Sequence, residues 1–238
     1  MPDNIERPTR AQHLIAVGLL GTVFLLLARA VLSIPMAETG VSAAIQDNID
    51  VSGVINPVTA VLLNFRAWDT LLEIAVLVLA IIGVLSLQRD GVLVSARMAP
   101  KADPVLSLLT RILVPLMILV AGYLLWAGEK APGGAFQAGS ILGAAGVLIS
   151  LSGHVRPGWL SPLIVKVIIA VGFVVFLVAA VIPMFFDKNL LEYPLNLAKT
   201  LIIVIETWLT LSIGMILVTM FLSSAAPLRD EFDGSDPL

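Results

Sequence analysis

Apolar residues run along this chain in long unbroken stretches, divided by charges, prolines and glycines. A helix needs about 20 apolar residues to cross about 30 Å of hydrocarbon. Six stretches approach that length: Leu14 to Ile34, Leu71 to Leu87, Leu108 to Trp126, Ala135 to Leu151, Leu163 to Phe185 and Leu201 to Leu222. In lipid the backbone must satisfy its own hydrogen bonds, and continuous rather than alternating apolar runs point to helices and not to a barrel. The pattern predicts an all-α polytopic membrane protein with about six transmembrane helices. The first run follows Arg7 and Arg10, but it is long for a signal peptide and lacks a small-residue cleavage site, so it reads as a retained anchor.

Composition sharpens this picture. Of 238 residues 58% are hydrophobic and 13% charged, and mean hydropathy is +1.01, whereas soluble domains carry about 25% charged residues. The absence of cysteine removes thiolate metal sites, disulfides and cysteine nucleophiles. Two histidines, His13 and His154, are too few for an imidazole metal site or haem, and both fall at helix ends where a solvated imidazole costs nothing. No catalytic set, metal or cofactor is expected, nor is enzymatic activity. The net charge of −3 is spread over both signs with no long basic run, which gives no reason to expect a nucleic-acid partner.

Lysine and arginine in the loops suggest an orientation. With a cytoplasmic N-terminus, the inner segments hold Arg7, Arg10, Arg89, Arg97, Lys101, Arg111, Arg156 and Arg229, and the outer ones hold Arg66, Lys130, Lys188 and Lys199. This excess places both termini inside. The charged, Pro-containing stretch from Arg89 to Pro104 reads as a cytoplasmic linker. It separates a two-helix front module (1–90) from a four-helix back module (105–225), with 91–104 as the linker and a flexible acidic tail over 226–238. The long connection Pro35 to Trp68 contains an apolar stretch, Val54 to Phe65, that is interrupted by Pro57 and too short to span. It is expected at the interface or against a partner.

Charges inside spanning helices cost roughly 2.5 to 3.5 kcal/mol each on insertion scales. Four stand out: Arg29, Glu73, Lys166 and Glu206. Arg29 and Glu73 fall at similar depth, roughly 6 to 8 Å below the outer surface at 1.5 Å per residue. They are candidates for a structural ion pair, and Glu73 alternatively for a group lining an ion path. Lys166 can snorkel to the cytoplasmic interface. Glu206, among Ile203, Val204, Ile205 and Trp208, cannot. It is expected to be protonated through desolvation or held by a partner from outside the chain. Glu73 and Glu206 are therefore the candidate ion-pathway residues.

The most distinctive local feature is Ala131-Pro132-Gly133-Gly134-Ala135-Phe136-Gln137-Ala138-Gly139. Proline and two glycines end one helix and permit a tight turn. Gly139 and Gly143 then form a small-xxx-small pair suited to close helix packing. Gln137 and Ser140 are polar within the helix and available for hydrogen bonds.

The Pro132-Gly133-Gly134 turn with Phe136-Gln137 resembles the signature GHxxPGGGFQGG of the B subunit of multisubunit Mrp (Mnh) cation/proton antiporters. Glu129 stands where that signature has His, and Ala135 and Ala138 where it has Gly. Glu206-Thr207 is similar to the family's Glu-Ile-Gly-Val stretch without its glycine. A second resemblance lies in Asn64-Phe65-Arg66-Ala67-Trp68-Asp69-Thr70-Leu71-Leu72-Glu73, which looks like the DFRGFDTLGE stretch of the C-terminal end of the antiporter's A subunit and of the related E subunit of membrane-bound hydrogenases. Phe65, Arg66, Asp69, Thr70 and Glu73 carry it. The chain thus resembles an E-type front module fused to a B-type back module.

The resemblance implies a multi-pass subunit in a prokaryotic cell (inner) membrane, part of an Mrp-type hetero-oligomer exchanging Na⁺ or another monovalent cation for protons beside other membrane subunits. Two alternatives belong with it. The chain is a scaffold whose acids are structural, or it serves a related redox-driven or inorganic-carbon uptake complex.

Overall fold

The computed structural model describes residues 10–33, 41–87, 104–153 and 161–224, all helical or connecting, with no strand among them. The expected linker, His154 and the acidic tail lie outside the described residues, as does the side chain of His13. Two units are distinguished, Met1–Ala43 and Ala44–Leu238. The first holds helix α1 (Arg10–Leu32), whose 19-residue apolar stretch buries none of its residues within the chain. Short helix α2 (Val41–Asn48) leads into the second unit.

The second unit continues with α3 (Pro57–Ala60), a π-helical turn (Val61–Phe65), α4 (Ala67–Leu87), α5 (Pro104–Ala127), α6 (Ala135–Leu151), α7 (Pro162–Val181) and α8 (Leu195–Ser224). Proline opens three of these helices, where its missing N–H is no loss. Ahead of α3 and α7, Asn56 and Ser161 accept from the backbone N–H groups of Val58 and Ile164, the usual N-terminal cap. Among the described residues five helices are long and apolar enough to cross a membrane, and α6 is a shorter apolar helix. Large exposed apolar side chains such as Leu79, Leu119 and Val167 cover the outside, as a surface solvated by acyl chains requires.

Helix α8 is the axis of the second unit. Half of it is buried, more than any other spanning helix, and it packs against α6, α7 and α4. Glycines set how closely it is approached. A Cβ on Gly139 would lie 2.9 Å from the Ile213 Cβ, one on Gly143 3.0 Å from the Leu217 Cβ, and one on Gly172 2.6 Å from the Ser212 Cβ. Ser212 also donates its hydroxyl to the Ile169 carbonyl at 2.5 Å, tying α8 to α7.

Two expectations change here. The apolar stretch Val54 to Phe65 packs with one face on its own chain: Val54, Ala60 and Leu63 belong to the same buried cluster as Ile202, Ile205 and Leu209 of α8, while Ile55, Val58, Leu62 and Phe65 are exposed. The last helix also begins at Leu195, six residues earlier than its apolar run, and so takes in Lys199, a residue the charge pattern assigns to the outer loops. Glu206 consequently lies about 16 Å from the start of its helix, at 1.5 Å per residue, and not near its end.

Candidate functional site

The site forms where the chain between α5 and α6 folds back into the helix bundle. Helix α6 has 17 residues, about 25 Å at 1.5 Å per residue, which is less than the hydrocarbon thickness. The loop before it folds into the bundle, with Gly128, Gly134 and Ala135 buried, where backbone polar groups must find partners within the protein. The loop's carbonyls do so through the front module. Asn56 donates its Nδ2 amide to the carbonyls of Gly128 (3.1 Å) and Ala131 (2.7 Å), and its backbone N–H to that of Glu129 (2.9 Å). Thr59 donates its hydroxyl to Gly128 at 2.5 Å. Asn56 and Thr59 are both buried.

The two signature glycines have separate geometric reasons. A Cβ on Gly133 would collide with the Leu124 carbonyl oxygen, so only glycine permits that approach. Gly134 has φ +112, a region that suits glycine, and its N–H donates to Leu124 at 3.0 Å. It occupies the N-cap of α6 but has no side chain to cap with. A Cβ there would lie 2.8 Å from Glu206 Oε1. Glu206 of α8, only 5% exposed, occupies that space, its carboxylate set against the start of α6. A helix N-terminus carries partial positive charge and free N–H groups, so it is a natural seat for a carboxylate.

Glu129, at the signature's His position, pairs with Lys199 at 2.7 Å across the same loop, and its side chain is 12% exposed. Phe136, one residue into α6 from Ala135, joins Asp69, Leu72, Glu73, Val76 and Leu77 around a groove of about 620 Å³. Glu73 is exposed on α4. Both candidate acids are therefore brought to the N-terminal end of α6, Glu206 against its backbone and Glu73 facing the groove beside Phe136.

The front motif shapes the entry to α4. Thr70 donates its hydroxyl to the Leu62 carbonyl at 2.6 Å, Arg66 and Asp69 form an exposed ion pair, and Phe65 closes the π-helical turn. Asn64 donates to the Ser52 carbonyl at 2.8 Å. Pro132 lies in the loop, and Gln137 in the first turn of α6 and Ser140 in the second are both exposed. Lys166 is exposed in the first turn of α7. Arg29 is exposed in the last turn of α1. It belongs to the first unit, so its pairing with Glu73 stays an expectation. Among the described residues no group of three or more His, Asp or Glu side chains forms a metal site.

Sequence reasoning missed Asn56, Thr59 and Lys199. The Asn56-Pro57 pair carried a helix-start signal, but nothing local marks Lys199 as the partner of Glu129, 70 positions away.

A helical bundle built for a membrane, with a carboxylate buried in its central helix against a glycine turn, defines a polytopic all-α membrane protein. The pattern described as "Domain related to MnhB subunit of Na+/H+ antiporter" matches residues 105–225, and that of the E subunit of MBH matches residues 7–100. The chain belongs to the MnhB-related family and is a multi-pass protein of a prokaryotic membrane. Proteins named antiporter subunit mnhB2 from Staphylococcus saprophyticus and Staphylococcus haemolyticus are each 30% identical over 131 residues, covering 51% of this chain and 93% of theirs. In fold the chain is similar to one from an archaeal membrane-bound sulfane sulfur reductase (TM-score 0.68, 20% identity, 90% of this chain and 98% of that one). It is also similar to a chain of the Mrp complex from Dietzia sp. DQ12-45-1b (TM-score 0.65, 23% identity), covering 97% of this chain and 28% of that one.

Proposed function

We propose that the chain is a membrane subunit of an Mrp-type assembly that exchanges Na⁺ or another monovalent cation for protons, and that Glu206 and Glu73 are acidic groups of its cation pathway. The chain performs no chemical transformation in this reading. The observation that carries it is Glu206: a carboxylate 5% exposed, seated midway along the central helix at the family's glycine turn. A carboxylate holds a hard cation when ionised and releases it when protonated, which is the competition that antiport requires. It offers about four lone-pair positions, enough to face the start of α6 and still coordinate a cation. Glu73, exposed in the groove beside Phe136, supplies a second carboxylate at the same end of α6.

The test is Na⁺-dependent proton exchange by the assembled complex in inverted membrane vesicles, with Glu206→Gln and Glu73→Gln. Loss of exchange in Glu206→Gln with normal assembly supports the reading. Wild-type exchange in both variants overturns it and favours the scaffold. The fold shared with a chain of the sulfane sulfur reductase gives a second reading, a subunit of a redox-driven complex. Exchange that persists with no electron donor present separates antiport from that alternative.

A further inference from the structure

Lys199 and Glu206 are seven residues apart on α8, about 10 Å along the axis and within about 20° of the same face. Both face one loop: Lys199 pairs with Glu129 at its beginning, and the Glu206 carboxylate lies against Gly134 at its end. Between these points Gly133 and Gly134 provide no side-chain packing, and the loop is otherwise tied to Leu124, Asn56 and Thr59 through its backbone. Glu129 is therefore the loop side chain that fastens it to α8 through charge. Its side chain is 12% exposed while that of Lys199 is 55% exposed, so the ammonium is open to water and the carboxylate is not; loss of Lys199 leaves the withdrawn carboxylate without its counter-charge.

We propose that Glu129 and Lys199 are positioning residues for Glu206: their ion pair sets the loop so that the turn at Gly134 and the start of α6 stay against the carboxylate, and thereby sets the cation affinity of that carboxylate without touching the ion. The proposal rests on the transport reading above. The pair sits at the position where the B-subunit signature has His, so this chain fastens the loop by a different chemical device.

The experiment measures Na⁺-dependent exchange by the whole complex, with assembled protein quantified on blue-native gels, for Glu129→Gln, Lys199→Met and the swapped double variant Glu129→Lys with Lys199→Glu. Both single variants are expected to change the half-saturating Na⁺ concentration by about five-fold or more, the lower range of energetic coupling between sites, while the maximal rate per assembled complex is kept. The swapped pair is expected to restore the wild-type value. An unchanged half-saturating concentration in the single variants, or no restoration by the swap, overturns the proposal. Should the single variants fail to assemble, Glu129→Asp and Lys199→Arg keep both charges and alter only reach. A shifted half-saturation there supports positioning, and an unchanged one overturns it in favour of an assembly role. Glu206→Gln is run in parallel: if it transports normally the transport reading itself has failed, whereas a dead Glu206→Gln beside a wild-type Glu129→Gln removes only this inference.

Discussion

Replacing Asn56 tests whether the front module holds the loop before α6 in the back module. In Asn56→Ala the backbone N–H bond to Glu129 is retained, but three side-chain bonds go: the acceptor to the Val58 N–H at 3.0 Å and the donors to Gly128 and Ala131. Loss of the helix cap costs about 1 kcal/mol. Each donor bond contributes about 1 kcal/mol. Gly128 keeps Thr59 as a donor, whereas Ala131 loses its Asn56 amide. The sum is about 3 kcal/mol. Asn56→Asp dissects this further: it keeps the cap acceptor but turns a carboxylate toward two carbonyl oxygens at a site 6% exposed, so at pH 8 it should be no more stable than the alanine variant. Unfolding of the purified chain by SDS in mixed micelles, followed by circular dichroism, gives the order wild type, Asn56→Ala, Asn56→Asp. An alanine variant within about 0.5 kcal/mol of wild type would refute the latch, that being the scatter of unremarkable substitutions. An aspartate variant equal to wild type would leave only the cap.

Two further outcomes follow from packing and burial. Gly139→Leu drives a side chain into Ile213 and toward the Thr210 carbonyl 3.1 Å from its Cβ. It is expected to cost about 3 kcal/mol or more and to collapse the monodisperse peak in fluorescence-detected size-exclusion chromatography, whereas Gly122→Leu, with nothing within 4 Å, leaves that peak unchanged. Tyr193 is buried with its hydroxyl unpartnered, and burial pushes the phenol's pKa upward. Tyr193→Phe removes an unsatisfied polar group and is expected to raise stability by about 1 kcal/mol, read as a higher melting temperature in detergent; a lower one would show that the hydroxyl has a partner.

The geometry also relates the two motifs. The front motif ends the π-helical turn and starts α4, the segment just before it ties down the loop before α6, and the back motif supplies that loop. The groove then joins Glu73 of one motif to Phe136 of the other. Neither module completes this corner alone, because the loop's donors come from one and its acceptors from the other.

The spanning helices and their all-α character were legible in the sequence, because twenty apolar residues in lipid have almost no alternative to a helix. The glycine turn was legible too, since proline and paired glycines punctuate any helical run. Glu206 could be singled out by the cost of a carboxylate in an apolar stretch, but the place of its carboxylate could not: that it lies against the turn at Gly134 depends on how α8 packs on α6. The same holds for Asn56 and for Lys199, whose partners lie 70 or more positions away. Periodicity records what each helix needs from its solvent, whereas pairing across the bundle depends on the depth and rotation at which helices settle, and those are fixed by glycine contacts between α6, α7 and α8 that appear only when the chain is folded.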